Sequence, residues 1–117
     1  MFKADDYRLK IQGMRGVLAE AGYALDLDNQ KKKLAELQEE QQKPEVWQDL
    51  EHSTKIGREI AHIQNKITAY DKSETALSDA EEVIDLIEET GDETLIAELD
   101  GMLATADKDI EDMRIRA

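Results

Sequence analysis

The two histidines are the side chains of this 117-residue sequence that are best suited to acid–base chemistry or metal binding near neutral pH. His52 and His62 stand ten residues apart on one predicted helix, so about 1,000° of rotation leaves them about 80° apart around its axis. Neither has another histidine three or four residues away, and no His-Glu-x-x-His pattern occurs. We therefore expect both histidines to be ordinary surface or boundary residues.

Carboxylates are abundant but show no pattern typical of catalysis or of calcium binding. The sequence has 28 acidic residues, yet it has no EF-hand-like loop with alternating oxygen ligands and a central glycine. The densest acidic group lies on one predicted helix and consists of Glu81, Glu82, Asp85, Glu88 and Glu89. We expect this group to form a solvated acidic face.

One basic cluster, Lys31 to Lys33, could hold a phosphate, but no second basic cluster accompanies it, so we favour a solvated face. The sequence has no cysteine, no Gly-rich phosphate loop, no nucleophile elbow and no candidate Ser-His-Asp triad. Its five aromatic residues are dispersed and offer no stacking platform for bases. We predict no catalytic residue, no metal ligand and no cofactor site.

The composition favours long helices with a large exposed surface. Charged residues make up 37% of the chain and aromatic residues only 4%, which argues against a large sheet. Residues 1–60 carry 10 basic and 12 acidic side chains, whereas residues 61–117 carry 5 and 16. The second half would repel phosphate, so we expect no direct nucleic-acid binding.

No apolar run approaches the ~18 residues of a membrane span and no secretory signal opens the chain, so we expect a cytoplasmic protein.

Two helices are predicted in the first part of the chain. The first covers residues 4–21, and Gly22 is expected to end it as a C′ glycine. Its apolar stripe has spacings of 4, 3 and 4 and consists of Tyr7, Ile11, Met14 and Leu18. Asp28 is a good N-cap for the second helix, which is predicted over residues 28–42.

A single proline separates the second helix from a long third helix. Pro44 ends the second helix because the residue before a proline is pushed out of helical geometry. Residues 43–49 are expected to be a short non-helical link, with Asp49 able to cap the long helix. That helix is predicted over residues 49–90. Its apolar stripe alternates by 4 and 3 and consists of Ile56, Ile60, Ile63, Ile67 and Tyr70.

The stripe of the long helix slips by about one residue before it resumes at Leu77. We expect the helix to bend or to rotate its buried face near residues 72–75. The alternative is two helices, because Ser73 or Ser78 could cap a new start.

The last helix is predicted over residues 93–116, because Gly91 reads as a helix stop and Asp92 as an N-cap. So short a turn makes the last two helices antiparallel neighbours, with Leu95, Leu99 and Leu103 near residues 77–87. We predict a single all-α domain over residues 1–117. Its architecture is an elongated antiparallel helical bundle, or coiled-coil hairpin, of about four helices at roughly 4–21, 28–42, 49–90 and 93–116.

The apolar period still runs at Ile110, Met113 and Ile115, and no cap, proline or polar tail precedes Ala117. We therefore expect residues 1–117 to be the N-terminal part of a longer protein.

Residues Leu25–Asp49 carry the most specific pattern in the sequence. A Leu25-Asp26 pair leads into a helix, and Pro44-x-Val46-Trp47 then precedes a long helix. This pattern resembles the first domain of the bacterial peptide chain release factor 2 family. A Gly-Asp turn and a last acidic helix extend the resemblance over nearly all of residues 1–117.

The resemblance implies a translation termination factor that recognises UGA and UAA in the ribosomal decoding site. The family triggers peptidyl-tRNA hydrolysis through Gly-Gly-Gln and reads the codon with Ser-Pro-Phe. Neither tripeptide occurs in this sequence, so we expect the chain itself not to be an enzyme. The implied partners are the ribosome near the base of its stalk and the GTPase release factor. Within the family-like motif we expect Pro44, Val46 and Trp47 to be structural anchors that dock the link onto the bundle.

An alternative of a different class is a free-standing helical adaptor or chaperone-like coiled coil. The stripe from Ile56 to Tyr70 would then be a free apolar seam, which invites a partner helix. A release-factor-like rescue protein is a weaker third possibility, because such proteins usually lack a long helical start.

Overall fold

The computed structural model describes residues 1–116, in which five α-helices and one 3₁₀ turn are connected by short segments. The elements are α1 (Ala4–Leu25), α2 (Leu27–Gln41), α3 (Pro44–Trp47), α4 (Leu50–Thr90), the 3₁₀ turn (Glu93–Leu95) and α5 (Ile96–Arg116). No strand occurs among residues 1–116, and the all-α prediction with helical hairpins is confirmed. None of the helices in this range has an apolar stretch long enough to cross a membrane.

The chain divides into two compact units that share α4. Unit 1 contains Met1–Ala24 and the chain from Ala69 onward, and unit 2 contains Leu25–Thr68. Each unit has its own buried residues, described below. The prediction of a single domain is not tested by this division and stays a prediction.

The predicted end of the first helix at Gly22 is wrong, because α1 continues through that glycine to Leu25. Ala21 and Leu25 are both buried and extend the apolar stripe of the helix. Burial of this stripe outweighs the roughly 1 kcal/mol that a glycine costs inside a helix.

Asp26, not Asp28, lies at the junction between α1 and α2. Its backbone is left-handed, with φ 56° and ψ 53°, and this conformation interrupts the helix. Aspartate tolerates the left-handed region better than most residues, and here its Oδ2 accepts a hydrogen bond from Asn29 Nδ2 at 2.7 Å. The second helix therefore begins at Leu27 and ends at Gln41, one residue earlier at each end than predicted.

The segment predicted as a non-helical link contains the one-turn helix α3. Lys43 is extended, as expected for a residue before proline, and Pro44 occupies the first turn, where its missing N–H costs nothing. The N–H of Val46 then donates to the carbonyl of Lys43 at 3.0 Å. The prediction that Pro44 separates the second helix from the long helix is confirmed. The prediction that residues 43–49 contain no helix is wrong, because α3 lies within them.

Unit 2 has a small apolar core to which α2, α3 and the first part of α4 contribute. The buried members are Leu37, Val46, Ile56, Ile60 and Ile63, and the half-buried Leu34 and Ile67 pack against them. The isoleucine stripe of α4 is thus covered within the chain itself, by residues of α2 and α3.

The long helix α4 is continuous from Leu50 to Thr90, which confirms one helix over the two-helix alternative. Asp49 caps it, since its Oδ1 accepts the N–H of His52 at 3.3 Å. Ser73 is 1% exposed and fills the place in the buried stripe between Tyr70 and Leu77. The slip in the apolar pattern is therefore a buried serine within one helix.

Unit 1 is a bundle of α1, the later part of α4, and α5. Its buried side chains come from all three helices and include Ile11, Met14, Leu18, Leu77, Ala80, Ile84, Ile87, Leu99, Leu103, Ala106, Ile110 and Met113.

The turn between α4 and α5 has the predicted helix stop followed by a helix cap. Gly91 has a φ of 69°, and Asp92 Oδ1 accepts the N–H of Thr94 at 3.0 Å. Hydrogen bonds from Thr94 hold the pKa of Asp92 below its usual value. Lys72 lies 3.7 Å from Asp109, as an antiparallel α4–α5 hairpin requires.

Candidate protein-binding surfaces

The two histidines are not brought together by the fold. His52 is half-buried and its Nε2 lies 3.4 Å from Glu40 Oε1 on α2, whereas His62 is exposed. No group of three or more His, Asp or Glu side chains in residues 1–116 is arranged to hold a metal ion. His52 therefore provides a contact between α2 and α4.

Arg8 and Arg15 on α1 bind carboxylates on α4 within unit 1. Arg8 Nη2 donates to Asp85 Oδ1 at 2.8 Å and also to Glu88 Oε1. Arg15 Nε donates to Glu81 Oε1 at 2.8 Å. The earlier arginine contacts the later carboxylates, so the two helices run antiparallel. The bonds from Arg8 to Glu88 and Asp85 raise the pKa of the Arg8 guanidinium above its ordinary value.

Four residues of the predicted solvated acidic face, Glu82, Asp85, Glu88 and Glu89, are exposed, and Glu81 is half-buried. Glu81, Asp85 and Glu88 in addition bind the arginines of α1, which the prediction did not include. Sequence reasoning missed these contacts, although a signal existed. The two arginines are seven residues apart, as are Glu81 and Glu88, and seven residues are about two helical turns on each helix.

Tyr7 joins α1 to α5 in the same unit. Its Oη donates to Asp100 Oδ1 at 2.6 Å, and the ring of Phe2 stacks on it with the centroids 5.1 Å apart. The hydrogen bond to Asp100 and partial burial raise the pKa of Tyr7. Together with Arg8 and Arg15, this contact fixes α1 on the α4–α5 hairpin.

The charge is distributed very unevenly between the two units. Unit 1 has eight basic and 19 acidic residues, whereas unit 2 has seven and nine. Most carboxylates of unit 1 are exposed to solvent. Such a surface repels phosphate backbones and attracts basic protein surfaces.

Residues 44–50 combine one buried anchor with two exposed apolar side chains. Val46 is 1% exposed and belongs to the core of unit 2. Pro44 lies exposed in the first turn of α3, and Trp47 at its end is 56% exposed. Leu50, the first residue of α4, is 81% exposed. The structural roles that the family-like motif suggests for these three motif residues stay a prediction.

Lys31, Lys32 and Lys33 are all exposed on α2. They occupy the second turn of that helix, where the field of the helix dipole has weakened. Their positions in the structure give no further support to a phosphate-binding role for this cluster.

Residues 1–116 thus form an all-α fold in which most carboxylates of unit 1 are exposed. The family model described as the PCRF domain matches residues 30–117, well over half of the chain. The chain belongs to the PCRF domain family.

Three proteins similar to the chain share one name, peptide chain release factor 2. The chain is 32% identical over 92 residues to peptide chain release factor 2 of Saccharopolyspora erythraea, which covers 79% of this chain and 25% of that protein. It is 32% identical over 102 residues to the protein of the same name from Acidithiobacillus ferrooxidans, covering 87% and 26%. The Yersinia pseudotuberculosis protein of that name is 27% identical over 117 residues, covering 99% and 32%. The resemblance drawn from Leu25–Asp49 is thereby confirmed, and the chain spans between a quarter and a third of the length of these curated relatives.

Proposed function

We propose that this chain is the helical binding module of a class I translation termination factor. The observation that carries the proposal is the PCRF domain match over residues 30–117, together with relatives named peptide chain release factor 2. The complete factor would direct termination at UGA and UAA codons. A role on the ribosome would place it in the cytoplasm.

In this proposal the module contributes binding and positioning, and it does not carry out hydrolysis. The sequence contains neither Gly-Gly-Gln nor Ser-Pro-Phe. Some charged side chains are paired with a side chain of another helix. Arg8 pairs with Glu88, and His52 lies next to Glu40. The decoding and hydrolysis steps would belong to other domains of a longer protein, of which residues 1–117 form one helical domain.

The proposed partners are the ribosome near its stalk base and the GTPase release factor. The acidic surface of unit 1 supports a protein contact better than an RNA contact, because its 19 acidic residues repel phosphates. Its exposed face on α4 includes Glu82 and Glu89. A basic protein surface is the complementary partner.

A release assay on ribosomes that carry peptidyl-tRNA and a UGA codon tests the proposal. The chain alone is expected to release no peptide, whereas complete peptide chain release factor 2 does so in parallel. In excess, the chain is expected to slow release by the complete factor, because both would occupy the same ribosomal contact. Release by the chain alone at the rate of the complete factor would refute the assignment of chemistry to other domains.

Two matched variants make the competition informative. Val46→Asp places a carboxylate in the core of unit 2 and is expected to abolish competition, whereas Tyr23→Asp changes an exposed residue of α1 and is expected to preserve it. A folded wild-type chain that does not compete at any excess would contradict the binding role. A chimera that carries this chain as the first domain of release factor 2 is expected to act at UGA and UAA but not at UAG.

The adaptor alternative rests on a free isoleucine seam, and in this structure Ile56, Ile60 and Ile63 are buried within unit 2. No observation therefore favours it over the release factor. Sedimentation at several concentrations tests it, since an obligate dimer is its expected result.

A further inference from the structure

We propose that the seam between α4 and α5, on the side away from α1, is a docking groove for a basic amphipathic helix of another protein. This seam is called the hairpin groove, and it is defined by five apolar side chains that remain partly exposed. They are Ala76, Val83, Leu86, Leu95 and Met102. All five belong to unit 1.

The contact between Lys72 and Asp109 fixes how α4 and α5 lie side by side. The two side chains are 3.7 Å apart. Leu86 lies 14 residues after Lys72, and Leu95 lies 14 residues before Asp109. Fourteen residues are close to four turns of helix, so in antiparallel helices Leu86 and Leu95 are level with each other and on the same side as the Lys72–Asp109 pair.

The hairpin groove lies on the side of α4 and α5 that α1 does not cover. α1 binds Glu88 of α4 through Arg8, and Asp100 of α5 through Tyr7. Leu86 precedes Glu88 by two residues, and Met102 follows Asp100 by two. Two residues correspond to about 200° around a helix axis, so both groove residues point away from α1.

The dimensions and the side chains of the groove match a docked helix. Leu86 is 44% exposed, and Val83, Leu95 and Met102 are half-buried. From Ala76 to Leu86 the groove is about 15 Å long, which corresponds to about three turns of a second helix. An amphipathic helix binds such a groove with its apolar face, and methionine adapts to the side chains that it meets.

The charges along the groove select a basic occupant. Between positions 72 and 108 the chain has 12 acidic residues and no lysine, arginine or histidine. Asp79 and Glu98 are exposed on the groove side of α4 and α5. Within residues 1–116, neither of them lies in an ion pair with a basic side chain. Lysines or arginines that flank the apolar face of a partner helix can bind these two carboxylates.

The basic residues of unit 1 lie elsewhere. Four of the eight precede position 16 and belong to the segment that contains α1, which packs on the other side of the hairpin. The other four are Lys72, Lys108, Arg114 and Arg116, at the end of the hairpin far from the turn at Gly91. Lys72 already lies beside Asp109. The groove from Ala76 to Leu95 is therefore lined by apolar and acidic side chains without a compensating cation from α4 or α5.

The same charges disfavour two other occupants. A nucleic acid would bring its phosphates against Asp79 and Glu98, and the groove has no aromatic side chain on which its bases could stack. A second copy of the chain, in a symmetric dimer, would set the carboxylates of the groove against themselves. The inference goes beyond the proposed function, because it requires neither a ribosome nor a codon.

A fluorescent label in the groove tests the proposal directly. The chain has no cysteine, so Thr105→Cys accepts a single acrylodan label at an exposed position of α5, between Met102 and Asp109. The probe is a synthetic amphipathic helical peptide of leucine and lysine, compared with a leucine–glutamate peptide and a serine–lysine peptide. We expect a saturable blue shift with the leucine–lysine peptide only. The same label on Gln12→Cys, exposed on α1, should show no saturable shift.

One pair of variants tests the apolar contact. Leu86→Ala is expected to weaken binding of the leucine–lysine peptide about fivefold or more. Leu9→Ala is the matched control, because Leu9 is 68% exposed on α1 and lies outside the groove. It should change binding by less than about twofold.

A second pair of variants tests the charges. Asp79→Asn with Glu98→Gln is expected to weaken binding about fivefold or more. Asp6→Asn with Glu20→Gln removes the same charge at exposed positions of α1 and should change binding by less than about twofold. Circular dichroism of every variant establishes that it has kept its helices.

Four results would overturn the proposal. The first is unchanged emission of the label at position 105 when the leucine–lysine peptide is added. The second is equal weakening by a groove variant and its matched control, which would mean that binding is not specific to the groove. The third is tighter binding of single-stranded oligouridine than of the leucine–lysine peptide. The fourth is concentration-dependent dimerisation that Leu86→Ala abolishes.

Discussion

Arg15 on α1 binds Glu81 on α4 through two of its nitrogens, with Nε and Nη2 at 2.8 and 2.5 Å from the same Oε1 atom. The two side chains remain 37% and 45% exposed, so water screens the pair. The contact therefore contributes little to the stability of unit 1. The apolar residues of α1, such as Ile11 and Leu18, supply most of the energy of this packing.

A double-mutant cycle measures the coupling between Arg15 and Glu81. Arg15→Gln, Glu81→Gln and the double variant are expected to give a coupling free energy of about 0.5 kcal/mol in urea unfolding followed by circular dichroism. In roughly 1 M salt, where the Debye length is about 3 Å, the coupling should decrease markedly. Glu82→Gln is the control, because Glu82 is exposed and is expected to show no coupling with Arg15. A coupling that is large and independent of salt would contradict this account.

Gly13 and Gly101 allow helix propensity to be tested alone, because a side chain added at either position would contact no other residue. A Cβ atom built at either position meets no atom within 4 Å, although both glycines lie inside helices. Gly13→Ala and Gly101→Ala are therefore each expected to raise the free energy of unfolding by about 0.5–1 kcal/mol. Gly91→Ala is the contrasting variant and should destabilise, because Gly91 has a φ of 69° that alanine adopts only with strain. Thermal unfolding of the three variants checks both directions.

The helices that carry an uninterrupted local signal could be predicted from the sequence. Asp49 and the Gly91-Asp92 pair predict the limits of α4 almost to the residue, and the isoleucine stripe predicts that the segment between them is helical. The end of α1 was missed because a glycine is a weak signal that burial of Leu25 overrides. The turn of helix at α3 was missed because a proline that ends one helix can also begin the next.

The contacts between distant helices were less accessible to sequence reasoning. The ion pairs of Arg8 and Arg15 depend on the rotation of α1 around its axis, which is set by apolar packing in three dimensions. The 56% exposure of Trp47 could not be predicted either. Its neighbour Val46 fills the apolar site in the core of unit 2, and the backbone then turns the indole toward solvent.

Ser73 is a polar residue whose hydroxyl is buried at a cost. Its Oγ is buried and has no hydrogen-bond partner among the described residues. Ser73→Ala is expected to raise the free energy of unfolding by about 1 kcal/mol, since it removes an unsatisfied group and introduces a better helix former. Ser78→Ala is the control, because Ser78 is exposed and its Oγ accepts a bond from Arg15 Nη2 at 3.2 Å. A loss of stability in Ser73→Ala would show that the hydroxyl has a partner in solution.

The hydrogen bond from Tyr7 to Asp100 makes the free energy of unfolding of unit 1 depend on pH. Its pKa is raised above 10.0 in the folded chain, chiefly because its hydroxyl donates to Asp100. The folded state therefore holds the phenolic proton more tightly than the unfolded state does. The resulting stabilisation is complete below the ordinary pKa of tyrosine and is lost as the pH rises through the raised value.

Urea unfolding of the wild type and of Tyr7→Phe, at several pH values from neutral to strongly alkaline, measures this effect. Tyr7→Phe should be the less stable of the two at neutral pH, because Asp100 loses its donor, and the difference should shrink in alkali. Two curves that stay parallel over the whole range would mean that the Tyr7–Asp100 bond does not contribute. Asp100→Asn refines the assignment, since it keeps an acceptor for Tyr7 but removes the charge that opposes ionisation of the phenol. In that variant the alkaline loss should be smaller and should end at a lower pH than in the wild type, because the pKa of Tyr7 in the folded chain falls toward its ordinary value while the pKa in the unfolded chain stays the same.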